Sequence, residues 1–177
     1  MAELDSFRAE KDRFFASHPQ SPLTLEQKRH FKGLNYFSEN PSLRLKVIVE
    51  EFPQQNTIQM QTTTGSIQAY TRHGRFRFAV DGQEVVLTIY SGPHGFFLPF
   101  VDSLAGVETY GAGRYLEPEP SGNGRFLIDF NMAYNPCCAY NDHWVCPLPP
   151  RENRLNVPLR AGEKMFHHDT YPALKST

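Results

Sequence analysis

The sequence lacks the features that would assign several classes of protein. Its 177 residues carry a formal net charge of −1 and contain no block of like charges. Because nucleic-acid binding depends on clustered cations that neutralise phosphates, this charge distribution argues against a nucleic-acid partner. No apolar run approaches the roughly 20 residues of a membrane-spanning helix. The charged N-terminus also lacks the apolar core of a signal peptide. These absences predict a cytoplasmic protein with no membrane partner.

Cysteine is scarce, and the chain contains three. Such a small, odd number does not indicate the disulfide framework of an exported domain. A dinucleotide-binding fingerprint is missing as well, because Gly-Ala-Gly at residues 111–113 has no third glycine and no strand-to-helix context. The sequence therefore identifies no cofactor and assigns no metal ligands.

What the chain does contain is aromatic and turn-forming residues, with 14 Phe, 8 Tyr, 14 Pro and 12 Gly. An apolar fraction of 40% and a charged fraction of 21% are typical of a globular protein. This length predicts one domain, residues 1–177. Within it we expect a helical segment at 1–40, packed on a β domain at 41–164, and a loose tail at 165–177.

The first segment shows helical spacing. Apolar residues recur on one face of a predicted first helix: Leu4, Phe7, Phe14 and Phe15. The helix is expected to end at His18, which precedes a proline. A short second helix is predicted over residues 25–31, since Thr24 and Gln27 have the spacing of a capping box and Gly33 suits a C-terminal cap.

After Pro41 the apolar spacing changes to two, which is typical of strands with one solvated face. Thr64-Gly65, His73-Gly74 and Asp81-Gly82 are the predicted tight turns. The pattern predicts a mainly β fold, an antiparallel meander rolled into a barrel or sandwich of about eight or nine strands, with one or two short N-terminal helices. The predicted strands are 43–50, 57–63, 66–72, 75–80, 84–90, 96–101, 107–116, 125–131 and 154–160, with a turn at 117–124 and an irregular segment at 134–151.

Several long motifs occur in order along the chain. They are FRAEKDRFF, SPL, FKGLNYF, YTRHGRFRFAVDG, PFVD, ETYGAGRYL, DFNMAYNPCCAYN, CPLPPREN and LRAGEK. Together they resemble the uncharacterised protein family 1684 of the domains of unknown function. The resemblance runs from Phe7 to about Lys164. It implies a single-domain protein of that family, and it brings no activity with it.

The stretch from Pro99 to Lys164 combines polar residues, aromatics, glycine and proline with all three cysteines, which points to a functional site. Three carboxylates there are candidate catalytic groups: Asp102, Glu108 and Asp129. Six residues are candidate substrate-binding groups: Arg114, Asn131, Tyr134, Asn135, Asn153 and Glu163.

The strand pattern predicts how some of these side chains meet. Asp129 and Asn131 share a face if their strand is regular. The strand of Arg114 is expected to pair with that of Asp129, which would allow an Arg–carboxylate pair. Such a pair suits an anionic substrate and a carboxylate general base, as in a hydrolase or isomerase. The alternative is a buried structural ion pair, and the asparagines of 131–135 alternatively cap turns.

The thiol candidates are Cys138 and Cys146, with His143 between them. Structural zinc usually needs cysteines two to four residues apart, so the adjacent Cys137 and Cys138 suit it poorly. A catalytic thiolate would take His143 as its base. The alternatives are a Cys138–Cys146 bridge or buried thiols in a proline-rich loop.

The function favoured by these residues is binding of a small anionic or polar molecule in a pocket lined by carboxylates, Arg114, asparagine and tyrosine. Two other functions stay open. One is a non-catalytic structural or interaction module, for which a homodimer is possible. The other is a thiol or metal protein centred on the cysteines.

Overall fold

The computed structural model describes residues 2–167, so residues 168–177, most of the tail predicted to be loose, lie outside the described part. Its two α-helices are α1 (Ala2–Ser17) and α2 (Leu25–His30). Its strands are β1 (Arg44–Ile48), β2 (Glu50–Glu51), β3 (Thr57–Gln61), β4 (Ile67–Val80), β5 (Gln83–Gly92), β6 (Gly95–Phe100), β7 (Arg114–Leu116), β8 (Glu119–Gly122) and β9 (Arg125–Asp129). Four 3₁₀ turns are Pro41–Leu43, Phe130–Met132, Cys137–Ala139 and Arg151–Asn153.

Both predicted helices are confirmed. The capping box of α2 is complete, because Gln27 N donates to Thr24 Oγ1 at 3.1 Å and Thr24 N donates to Gln27 Oε1 at 3.0 Å. The predicted C-terminal cap was wrong. Phe31 already has extended backbone angles, and Gly33 lies beyond the helix with φ of +118°, where the chain passes close to Asp12 of α1. Among the described residues, no helix is both long and apolar enough to cross a membrane.

The strands form two antiparallel sheets. One has three strands in the order β1-β9-β8, and the other has the order β2-β4-β5-β6-β7 with β3 paired to β4. Their inward faces share a core in which Phe76, Leu87 and Ile89 of the larger sheet meet Phe126 and Ile128 of the smaller. Neither sheet closes on itself within residues 2–167, so the mainly β fold is a sandwich and not a barrel.

One predicted turn was wrong because a distant strand approaches it. His73-Gly74 is not a turn, because β4 continues through it with a bulge between Arg72 and Gly74. A Cβ at Gly74 would lie 2.7 Å from the Glu50 backbone oxygen, so the close approach of β2 needs glycine there. Asp81-Gly82 is a turn as predicted, with positive φ at both residues.

The region after β6 departs most from the predicted strands. Of the predicted strand 107–116, the described chain forms only β7, and β8 lies in the predicted turn 117–124. The predicted strand 154–160 is absent from the described elements, and Arg154 makes a single parallel bridge to Val101. The last segment, residues 154–164, still packs on the sandwich. Leu155 N donates to Val101 O at 2.7 Å, and Leu159 and Ala161 lie in the core.

The predicted pairing between the strands of Arg114 and Asp129 was also wrong. β7 pairs with β6, so that Arg114 lies opposite Phe100. β9 pairs with β1, and Asp129 lies opposite Arg44. The predicted substrate-binding pair is therefore divided between two sheets.

Candidate functional site

The Arg114 side chain lies in the protein interior and is 1% exposed. Its Nη2 donates to Asp102 Oδ2 at 3.3 Å and to the Leu159 carbonyl at 2.9 Å, while Nη1 donates to the carbonyls of Ala161 and Glu163. Burial lowers the pKa of Arg114, and the Asp102 carboxylate opposes that shift. The guanidinium thus holds the last segment against the sheet, which is the structural alternative to substrate binding.

Asp102 completes this interior arrangement. Its Oδ2 also accepts from Leu159 N at 2.8 Å, and Oδ1 accepts from Thr109 Oγ1 at 3.4 Å. Asn153 has a similar position, because its amide donates to the carbonyls of Thr88 and Pro99 and accepts from Thr88 N, each at 2.8 Å. Both side chains join the last segment to the sandwich. Their predicted catalytic and binding roles stay predictions.

Glu163 forms a second buried group with Asn135. Glu163 is 1% exposed, and Oε2 accepts from Asn135 N at 3.1 Å and from Tyr140 Oη at 2.7 Å. Oε1 accepts from Lys11 of α1. Burial and the Glu163 carboxylate raise the pKa of Tyr140. Asn135 Nδ2 donates to the Lys164 carbonyl at 3.0 Å. This group ties α1 to the last segment.

Asp129 and Asn131 meet, but through a turn and not along a strand. Asp129 Oδ1 accepts from Asn131 N at 3.0 Å and from its Nδ2 at 2.9 Å. The Asn131 side chain also exchanges hydrogen bonds with the Asn40 backbone. The asparagine therefore caps a turn, whereas Asp129 Oδ2 accepts from Arg44 Nε at 3.1 Å. Glu108 lies elsewhere, in a surface ion pair with Arg160.

The structure contains a cleft of about 560 Å³ between α1 and the smaller sheet, called here the α1 cleft. Phe7 and Lys11 face it from adjacent turns of α1, and Leu127 and Asp129 face it from alternate positions of β9. Two of the predicted site residues, Asp129 and Tyr134, line it. The complete lining is Phe7, Lys11, Leu116, Glu117, Glu119, Leu127, Asp129, Met132 and Tyr134.

Charge in the α1 cleft is mostly negative. Lys11 is paired with Glu163, and Asp129 is paired with Arg44. Glu117 accepts a hydrogen bond from Tyr134 Oη, and burial followed by that carboxylate raises the tyrosine pKa. Within residues 2–167 neither Glu117 nor Glu119 has a cationic partner. Two carboxylates thus remain without neutralisation at the rim.

Most of the cleft was missed from the sequence. Glu117 and Glu119 belong to a stretch assigned only to a turn. The available signal was the spacing of four between Phe7 and Lys11 on a charged helix, together with the outward position of Leu127 on β9. Neither shows that α1 and the smaller sheet face each other across a cleft, because that arrangement is tertiary.

The cysteines lie apart from the cleft lining. Cys138 belongs to the 3₁₀ turn Cys137–Ala139, and its backbone N donates to Cys146 Sγ at 3.3 Å. All three cysteines are free thiols. His143 is exposed, and its described hydrogen bond is from its backbone N to Asn141. In the described part of the chain, no three His, Cys, Asp or Glu side chains are grouped to hold a metal ion.

The comparisons with known proteins agree with this fold. The family model "Protein of unknown function (DUF1684)" matches residues 29–164. This chain belongs to the DUF1684 family. The resemblance predicted from the motifs is confirmed, although the match begins after α1, so Phe7 and Lys11 lie outside it.

A solved relative of this DUF1684 protein is an uncharacterized protein from Haloarcula marismortui, determined by solution NMR. It has 35% sequence identity, a TM-score of 0.69 and coverage of 92% of each chain. No curated protein matches the chain. The comparisons therefore establish family and fold, and they add no activity.

Proposed function

We propose that this DUF1684 protein binds a small molecule with an apolar body and a cationic group in the α1 cleft. The supporting observation is a cavity of about 560 Å³ whose apolar wall is bordered by Glu117 and Glu119, two carboxylates that have no cationic partner within residues 2–167. Ligand sites commonly have volumes of roughly 300–1,000 Å³ and combine apolar walls with a few polar groups.

The apolar wall supports binding of a hydrophobic body. Phe7 is 41% exposed and Leu127 is 38% exposed, and they line the cleft from opposite sides. Leu116 and Met132 extend this wall. Removing apolar area from water contributes about 25 cal/mol per Å², so covering about 50 Å² of it contributes roughly 1 kcal/mol.

The rim charges support a cation. Lys11 is already paired with Glu163, whereas Glu117 and Glu119 are exposed and face the cleft. An anionic ligand was expected from the sequence chiefly because of Arg114. That guanidinium is buried among Asp102 and backbone carbonyls and does not line the cleft. A carboxylate rim repels an anion and attracts an ammonium or guanidinium group.

The proposal concerns ligand binding and assigns no reaction. Asp129 is the only one of the three candidate catalytic carboxylates in the described cleft lining, and Arg44 and Asn131 hold it. Hydrolase or isomerase activity stays a prediction, as do the homodimer and the interaction-module alternative. A cytoplasmic location is proposed too, since the three free thiols suit a reducing compartment.

The experiment uses three probes of one shape and different charge: 2-phenylethylammonium, 2-phenylethanol and phenylacetate. Binding is followed by calorimetry and by amide chemical shifts of the isotope-labelled protein. We expect the ammonium probe to bind best, with shifts centred on residues 116–134. An exposed ion pair contributes about 0.5–1 kcal/mol, so the alcohol should bind about 2–5-fold more weakly.

Variants locate the interaction. Glu117→Gln and Glu119→Gln should each weaken the ammonium probe and leave the alcohol unchanged. Glu84→Gln on β5 is the matched control, because Glu84 is an exposed carboxylate outside the cleft lining. Equal binding of all three probes, tighter binding of phenylacetate, or shifts centred away from the cleft would each overturn the proposal.

A further inference from the structure

Cys138 and Cys146 are called here the thiol pair. Different parts of the chain hold these two cysteines. Cys146 lies in an extended segment, where its N donates to Thr63 Oγ1 at 3.3 Å and its O accepts from Thr63 N at 3.0 Å. Cys138 lies in the turn Cys137–Ala139. The seven residues between them form a loop whose ends are thus fixed close together.

A hydrogen bond from the Cys138 turn reaches the Cys146 sulfur. The Cys138 backbone N donates to it at 3.3 Å. Tyr110 Oη in turn donates to Cys138 Sγ at 3.6 Å. The hydrogen bond from the Cys138 turn therefore favours the thiolate form of Cys146.

The thiol pKa values follow from this arrangement. The hydrogen bond from the Cys138 thiol, helped by backbone amides, lowers the pKa of Cys146 to about 7 although burial opposes it. The same hydrogen bond, together with burial, raises the pKa of Cys138. Burial also raises the pKa of the third cysteine, Cys137. Cys146 is thus the more acidic thiol of the pair.

We propose that Cys138 and Cys146 form a dithiol–disulfide site that exchanges with small-molecule disulfides such as glutathione disulfide. Cys146 is only 6% exposed, whereas Cys138 is half-buried, so Cys138 meets the incoming disulfide. This site is separate from the α1 cleft, since neither cysteine belongs to the described lining of that cleft.

The exchange balances in two displacements. As the Cys138 sulfur attacks one sulfur of the external disulfide, the Cys146 thiolate takes up the Cys138 proton. A mixed disulfide forms, and one external thiolate leaves and takes up a proton from water. Cys146 then loses its proton and attacks Cys138 Sγ, which releases the second external thiol and forms the Cys138–Cys146 bond. The protein is oxidised by two electrons, and the external disulfide is reduced to two thiols.

The test equilibrates the full-length protein in glutathione buffers of rising oxidised fraction, followed by acid quenching, alkylation and peptide mass mapping. The wild type and Cys137→Ser should lose two hydrogens and yield a Cys138–Cys146 cross-linked peptide that dithiothreitol reverses. Cys146→Ser should instead accumulate one glutathione on Cys138, since the second displacement is blocked. Cys138→Ser should form no cross-link.

A second readout separates the site from adventitious oxidation. The ultraviolet absorbance of the Cys146 thiolate should rise with pH around a midpoint near 7 in the wild type and in Cys137→Ser. Cys138→Ala should move that midpoint upward, because alanine has no side-chain hydrogen-bond donor. Failure of the folded wild type to form the bond in the most oxidising buffer, or a bond made through Cys137, would overturn the proposal without reference to any variant.

Discussion

Replacing Arg114 by Met tests whether the interior ion pair is a structural element of the sandwich. Methionine retains most of the side-chain volume but removes the charge and the donors. The variant leaves the Asp102 carboxylate buried without a cation and removes the donors to the carbonyls of Leu159, Ala161 and Glu163. Deleting one partner of a buried pair costs about 3–5 kcal/mol. We expect the free energy of unfolding to fall by at least that amount.

The chain supplies a matched control for this experiment. Arg160 also pairs with a carboxylate, that of Glu108, but the arginine side chain is 55% exposed. Surface ion pairs contribute about 0–1 kcal/mol, so Arg160→Met should be nearly neutral. Comparing the two variants separates the effect of breaking a buried ion pair from the effect of removing an arginine at the surface.

Urea unfolding followed by far-UV circular dichroism at pH 7 measures both variants. Because native domains are stable by only about 5–15 kcal/mol, Arg114→Met can unfold without urea, and Arg160→Met must then remain folded. Asp102→Asn provides a second measurement, with an expected loss of about 3 kcal/mol. A loss below about 1 kcal/mol in Arg114→Met would refute the structural assignment and return Arg114 to the substrate-binding candidates.

Two further predictions follow from other buried polar groups. Asn153→Ala should lower the free energy of unfolding by about 2–4 kcal/mol, because it leaves the Thr88 N–H and two carbonyls without their partner. The exposed Asn156→Ala should change it by less than about 0.5 kcal/mol in the same urea titration, and equal losses would contradict the assignment. Burial raises the pKa of Tyr90 and Tyr140 above the ordinary value of 10.0. As the pH rises above that value, the tyrosines of the unfolded state ionise first, and the free energy of unfolding therefore falls. Tyrosinate absorbance should therefore appear together with loss of the far-UV signal, and gradual titration of a folded protein near pH 10 would contradict this.

Local patterns in the sequence predicted much of the fold. Helix α2 follows from the reciprocal side-chain bonds of Thr24 and Gln27, and the hairpin at Asp81-Gly82 follows from positive φ at both turn residues. Each feature depends on residues close in the chain, so a short window contains its cause. His73-Gly74 shows where this approach fails. Gly74 is required by the approach of Glu50 from a distant strand and not by a turn.

The candidate site was predicted less well for the same reason. The interior position of Arg114 depends on carbonyls of the last segment, some 45 or more residues away. The residues of the α1 cleft come from α1, from β7, β8 and β9, and from the loops beside these strands, and no spacing rule encodes how these parts pack. Cys138 and Cys146 could be predicted as a pair because they are close in the chain. Only the structure shows that the Cys146 sulfur accepts a hydrogen bond from the backbone of Cys138.

The sequence by itself determined the family, the mainly β class, the two short helices and the concentration of polar groups after Pro99. Those properties arise from composition, periodicity and local turn chemistry, which act over a few residues. Only the tertiary structure decided that Arg114 pairs with Asp102, that Asp129 pairs with Arg44, and that a carboxylate-rimmed cleft opens beneath α1. The order of strands in the sheets and the path of the last segment decide which charged side chains meet. Neither can be read from the spacing of residues along the sequence.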